Sequence, residues 1–111
     1  MSEETYPFTS GNKGFSGKCT KRDGGFKIKE FKSLDEGSCP SVLNALYEGP
    51  VSAGISGYHL RFYDSGIFDE CEKDNNLDHA IMIVGFKSGQ GWRIKNSWGV
   101  DWGENGFGWI A

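Results

Sequence analysis

The chain has 111 residues, of which 37% are hydrophobic, 14% aromatic and 24% charged, the composition of one soluble globular domain rather than a disordered segment. A net charge of −3 is divided unevenly, with seven Lys and Arg against four Asp and Glu in residues 1–32, and five against eleven in residues 33–111. No basic run is interleaved with aromatics, which argues against nucleic acid, and no apolar run approaches the roughly 20 residues of a membrane helix.

A chain of this length buries roughly two-thirds of its unfolded surface. Met1-Ser2-Glu3-Glu4 has neither the basic start nor the apolar middle of a signal peptide, so a targeting segment is expected to lie elsewhere. Cys19, Cys39 and Cys71 show no Cys-x-x-Cys spacing, and neither His59 nor His79 is paired with them. No metal site or cofactor is expected. In an oxidising compartment an odd count leaves one thiol over.

Residues 1–25 are punctuated by Pro7, Ser10-Gly11-Asn12, Gly14, Gly17, Gly24 and Gly25, and no period is sustained. Phe26 to Phe31 alternates apolar and charged at first, which predicts a strand with one solvated face. Ser38 is a plausible helix N-cap and Pro40 is tolerated in a first turn. Cys39, Val42, Leu43 and Leu46 then fall on one helical stripe, which Gly49 and Pro50 terminate. Val51 to Ile55 predicts a strand, Tyr58 to Tyr63 a turn or single helical turn, and Gly66-Ile67-Phe68 a short strand. Residues 69–76 are an acidic loop around Cys71. Strands over 77–86, 91–97 and 106–110 complete an antiparallel set. One helix and about six strands make an α+β fold, mainly antiparallel, in a twisted sheet or partial barrel.

Two of these strands carry unusual passengers. Trp92, Ile94 and Asn96 share one face of 91–97, so an amide ends an apolar stripe, and two indoles, Trp98 and Trp102, follow at once. Seventeen residues upstream, His79 interrupts Leu77-Asp78-His79-Ala80-Ile81-Met82-Ile83-Val84. A lone histidine in an apolar strand is usually a hydrogen-bonded core residue, and a strand-end Asn usually caps a turn. Together on adjacent strands they are two of the three parts of a cysteine-nucleophile site, in which imidazole takes the thiol proton and the amide fixes the ring.

Asn96-Ser97-Trp98-Gly99 followed by Trp102-Gly103-Glu104 and Gly106-Phe107 resembles the C-terminal portion of papain-like, cathepsin-type cysteine peptidases. Leu77-Asp78-His79-Ala80, Gly49-Pro50-Val51-Ser52, Tyr63-Asp64-Ser65-Gly66-Ile67-Phe68 and Tyr6-Pro7-Phe8 match as well, in the family's order over nearly the whole chain. The resemblance implies the right-hand lobe of the papain fold for residues 26–111, ending short of the family's final stretch. Residues 1–25 would belong mostly to the other lobe. His79 and Asn96 would be catalytic, with Trp98 and Trp102 shielding them; ordinary core packing is the competing account of both indoles. Gly54, Leu77 and Ala80 would line an apolar pocket for the substrate side chain two residues before the scissile bond, and the Asp78 carbonyl would hold a substrate N–H. Plain strand packing explains these four equally simply.

The resemblance further suggests that Cys19 and Cys71 ordinarily bond to cysteines outside this stretch. Cys39 is an addition to the family pattern, and a Cys39–Cys71 disulfide is expected, contributing about 3–4 kcal/mol through loop closure. The nucleophilic Cys would precede His79 by roughly 130–150 residues, which places it before Met1. The expected partners are therefore a peptide or protein substrate and a Cys-bearing N-terminal lobe, in a lysosomal, vacuolar or secreted setting. An exposed lobe-facing surface would favour self-association. Three readings follow: a catalytic portion of a cysteine endopeptidase, inactive alone; a non-catalytic peptide- or protein-binding module; and a fragment without an independent role.

Overall fold

The computed structural model describes residues 4, 6–10, 14–18, 26–70 and 76–111. The chain divides into two compact units, Met1–Ser33 and Leu34–Ala111. In the first, no described residue lies in a strand. The strand expected over Phe26 to Phe31 is not formed, and Phe26, Ile28 and Phe31 are 97%, 90% and 89% exposed. Alternation selects a face that could be buried but supplies no neighbour to bury it, and a strand without a partner gains nothing from its pattern.

The second unit holds helix α1 (Cys39–Leu46), a 3-10 turn (His59–Phe62) and five strands: β1 (Val51–Ile55), β2 (Ile67–Phe68), β3 (His79–Lys87), β4 (Gly91–Lys95) and β5 (Phe107–Ile110). The fold is α+β, and the sheet is open, in the order β1-β3-β4-β5-β2. Three of its four pairings are antiparallel; β2 joins β5 in parallel. Ser38 caps α1 as expected, its hydroxyl accepting from the Ser41 N–H at 3.3 Å. Val42, Leu43 and Leu46 are half-buried on the side that packs against β1 and β3, while Cys39 is exposed.

Register sets which side chains meet. Ile83 lies directly across from Ile94, and Ala53 from Ile81. Because alternate strand residues share a face, stepping back from Ile83 through Ile81 brings His79 to the same side, and stepping on from Ile94 brings Asn96 there. A bulge between Ile83 and Gly85 shifts the pairing beyond it, so that Phe86 sits across from Trp92 and their rings lie 4.8 Å apart. The core on this face is Leu60, Tyr63, Ile81, Ile94 and Trp102, with Ala53, Ile55, Phe68, Ile83 and Ile110 packed around it.

Leu60 and Ile94 are each 1% exposed, so a full side-chain transfer, about 1.5–3 kcal/mol, is realised at each. Ile94→Val should therefore lower the free energy of unfolding by about 0.5–1.5 kcal/mol in urea titrations. Val100, 72% exposed, should tolerate Val100→Ala within about 0.5 kcal/mol.

Candidate active site

The C-terminal edge of β4 and the start of β3 place His79 and Asn96 in contact. His79 Nε2 lies 2.8 Å from Asn96 Oδ1. The same oxygen accepts the Ser97 backbone N–H at 2.8 Å. That second bond decides the tautomer. An amide turned the other way would set its NH2 against the Ser97 N–H, donor to donor. Oxygen must face the ring, so His79 Nε2 carries the proton and Nδ1 is left as the basic nitrogen.

Asn96 is 8% exposed, and its Nδ2 has no hydrogen-bond partner. An unpaired buried donor costs about 1–3 kcal/mol, and the turned amide would add a donor–donor contact at 2.8 Å to the same site. The orientation seen is the cheaper of the two. The backbone of Asn96 is itself fixed, its N–H donating to Gly106 O at 2.9 Å.

Trp98 lies flat on the imidazole, ring centroids 4.3 Å apart and planes 25° apart. It screens one face of the His79–Asn96 bond from water. Trp102 meets Trp98 edge-on at 5.8 Å. Trp102 is 8% exposed and donates from Nε1 to Leu60 O at 3.0 Å, so it belongs to the core and reaches the imidazole only through Trp98.

On its other side His79 rests on Gly57. A Cβ at Gly57 would fall 2.7 Å from His79 Cβ, nearer than side-chain carbons approach. Gly57 N–H donates to Asp78 Oδ1 at 2.7 Å, tying down the residue before the histidine. Gly54 pairs with Ala80 across β1 and β3, and Leu77 Cβ and Cδ1 lie 3.6 Å from where a Gly54 Cβ would stand. Gly54, Leu77 and Ala80 are all exposed, with Leu77 packed beside Gly54 and Ala80 across from it. Cys39 is a free, exposed thiol; the expected Cys39–Cys71 disulfide involves Cys71, which, like Cys19, lies outside the described residues. Among the described residues no group of three or more His, Cys, Asp or Glu is placed to share a metal ion, and no helix is long and apolar enough to cross a membrane.

A family model described as Papain family cysteine protease matches residues 1–111. The chain belongs to that family. Cysteine protease 1 of Oryza sativa subsp. japonica is 35% identical over 116 residues, covering 95% of this chain and 22% of its own. The solved procathepsin L 3 from Tenebrio molitor larval midgut superposes with a TM-score of 0.83 at 31% identity, over 99% of this chain and 38% of that one. Bromelain from Ananas comosus, solved in complex with the E64 inhibitor, gives a TM-score of 0.58 at 31% identity, over 65% of this chain and 35% of that one. This chain spans about a quarter of the length of curated relatives it matches, and it corresponds to part of a papain-family peptidase domain.

Two residues of the quoted motifs had no role assigned from sequence. Glu104 Oε2 pairs with the Arg93 guanidinium, which lies over the rings of Phe107 and Trp109 at 5.3 and 5.2 Å. Glu104 Oε1 accepts from Gly66 N–H at 3.3 Å and stands 3.4 Å from the Tyr63 hydroxyl. The Arg93 hydrogen bond above all, then the Gly66 N–H, holds the Glu104 carboxyl below its ordinary range, against the opposing effect of burial. Burial pushes the Tyr63 phenol up, offset by the Trp109 N–H and reinforced by the Glu104 charge. Gly57 likewise carried no chemical signal; only its backbone N–H and its missing Cβ matter, and neither is visible in a residue type.

Folding therefore favours the anionic form of Glu104. Its contribution to stability is present above the ordinary glutamate value of 4.5 and is lost as pH falls through the lower folded value. Glu104→Gln should reduce the urea midpoint at pH 7, and the difference from the parent chain should shrink progressively below pH 4.5. Gly57→Val, which overfills the contact with His79, should cost about 1–3 kcal/mol and weaken the imidazole–amide bond, read as faster exchange of the His79 ring proton by NMR.

Proposed function

We propose that residues 34–111 supply the base half of a cysteine endopeptidase site, and that the nucleophilic thiol comes from polypeptide outside residues 1–111. The observation that carries this reading is the 2.8 Å contact of His79 Nε2 with an amide oxygen whose orientation is fixed by Ser97 N–H. It leaves Nδ1 as a base of defined direction.

In this reading Nδ1 takes the thiol proton, giving a thiolate–imidazolium pair beside the Trp98 ring. The thiolate attacks the peptide carbonyl, and the imidazolium returns the proton to the leaving amine as the C–N bond breaks. Water then hydrolyses the acyl-enzyme, with the imidazole again accepting a proton. Asn96 stays neutral throughout. A carboxylate there would favour the imidazolium beyond what an ion pair already provides. Gly54, Leu77 and Ala80 would receive an apolar side chain two residues before the scissile bond, and the Asp78 carbonyl would accept a substrate N–H.

The test uses a fluorogenic dipeptide substrate with an apolar residue at its second position. The chain alone should not cleave it. Combined with the Cys-bearing lobe of a papain-family peptidase, it should do so in a thiol-dependent manner, and His79→Ala should then reduce kcat by at least about 10²–10⁴-fold. Binding of that lobe without any turnover would favour the non-catalytic binding module instead, and cleavage by the pure chain would overturn the proposal.

A further inference from the structure

The imidazole is roofed by Trp98, but Trp98 is itself 39% exposed and needs support. That support leads back through Trp102 to Tyr63. The Tyr63 ring is 9% exposed and lies 5.3 Å from Trp102 at 38°, with Phe68 edge-on at 6.4 Å. Two glycines close on it. A Cβ at Gly103 would come 3.0 Å from ring carbons Cδ1 and Cε1, and one at Gly108 would come 2.9 Å from Cε1. Gly103 also takes φ +54°, where other residues are strained. The slot is therefore shaped for this ring.

The hydroxyl fixes the ring's far end. It donates to Gly66 O at 2.6 Å and accepts from Trp109 N–H at 3.3 Å. Glu104 Oε1, paired through its partner oxygen with Arg93, stands 3.4 Å away and also holds Gly66 N–H. The backbone of the same segment supplies Leu60 O, the acceptor for Trp102 Nε1, and Tyr63 N–H closes that turn on Leu60 O at 3.1 Å. Tyr63 thus sets both the plane of the Trp102 ring and the turn that anchors its nitrogen. Trp102 in turn meets Trp98, and Trp98 lies on His79.

From this unbroken ring series we infer that Tyr63 is a positioning residue for the His79–Asn96 pair, acting through Trp102 and Trp98 without touching the imidazole. The inference rests on the functional reading above only for its consequence in catalysis. The mechanical link from Tyr63 to the His79 ring stands on the packing alone. A tyrosine that merely filled the core would change global stability and leave the imidazole's local protection as it was.

The decisive variant is Tyr63→Phe, which keeps the ring and so the fold, and removes only the hydroxyl contacts. Ile94→Val serves as the control, since it weakens the same core without altering any ring of the series or its hydrogen bonds. The readout is solvent exchange of the His79 Nε2 proton in the full chain, compared at matched global stability by adjusting urea. Tyr63→Phe should speed that exchange about threefold to tenfold relative to Ile94→Val, as local opening of the roof. Tyr63→Leu, which also removes the ring, should exceed it. Exchange in Tyr63→Phe indistinguishable from that in Ile94→Val, or Tyr63→Leu no faster than Tyr63→Phe, would overturn the inference. Because the measurement needs no turnover, it separates from the catalytic proposal: loss of that proposal through an active His79→Ala enzyme would leave this result intact.

Discussion

Everything at this site depends on one oxygen, Asn96 Oδ1, which accepts two hydrogen bonds at once. The Ser97 N–H fixes which end of the amide faces inward, and that in turn fixes which imidazole nitrogen is protonated. A single neutral group thereby sets the direction of a base without adding charge. The unpaired Asn96 Nδ2 is the cost of this arrangement, and it is smaller than the cost of reversing it.

Around that bond the structure stacks aromatic rings instead of charges. Trp98 covers the imidazole, Trp102 backs Trp98 from within the core, and Tyr63 backs Trp102. Arg93 and Glu104 join β4 to the turn before β5 one layer further out, while the Asp78 carboxylate beside His79 is held by the Gly57 N–H. Indole over the imidazole excludes water from the His79–Asn96 hydrogen bond. The clasp at Glu104 is half-exposed and adds modestly to stability, yet it closes the loop that carries both indoles.

Membership in the papain family gives this geometry a natural setting without assigning roles to individual side chains. The chain spans less than two fifths of the procathepsin structure it superposes on, and the site described is one wall of a larger cleft in the functional reading. Gly54, Leu77 and Ala80 are all open to solvent.

Spacing and end signals determined much of this protein: the helix capped by Ser38 and stopped before Gly49, the strands from Val51 onward, and the face of its strand on which Asn96 follows Trp92 and Ile94. These are local properties, written in spacing and in the geometry of a two-residue repeat. Tertiary structure decided what spacing leaves open. It left Phe26 to Phe31 without a strand partner, set β2 parallel to β5, and inserted a bulge after Ile83. It also gave Gly57 and Tyr63 their places, because a missing Cβ and a hydroxyl's three neighbours acquire meaning only once distant segments meet.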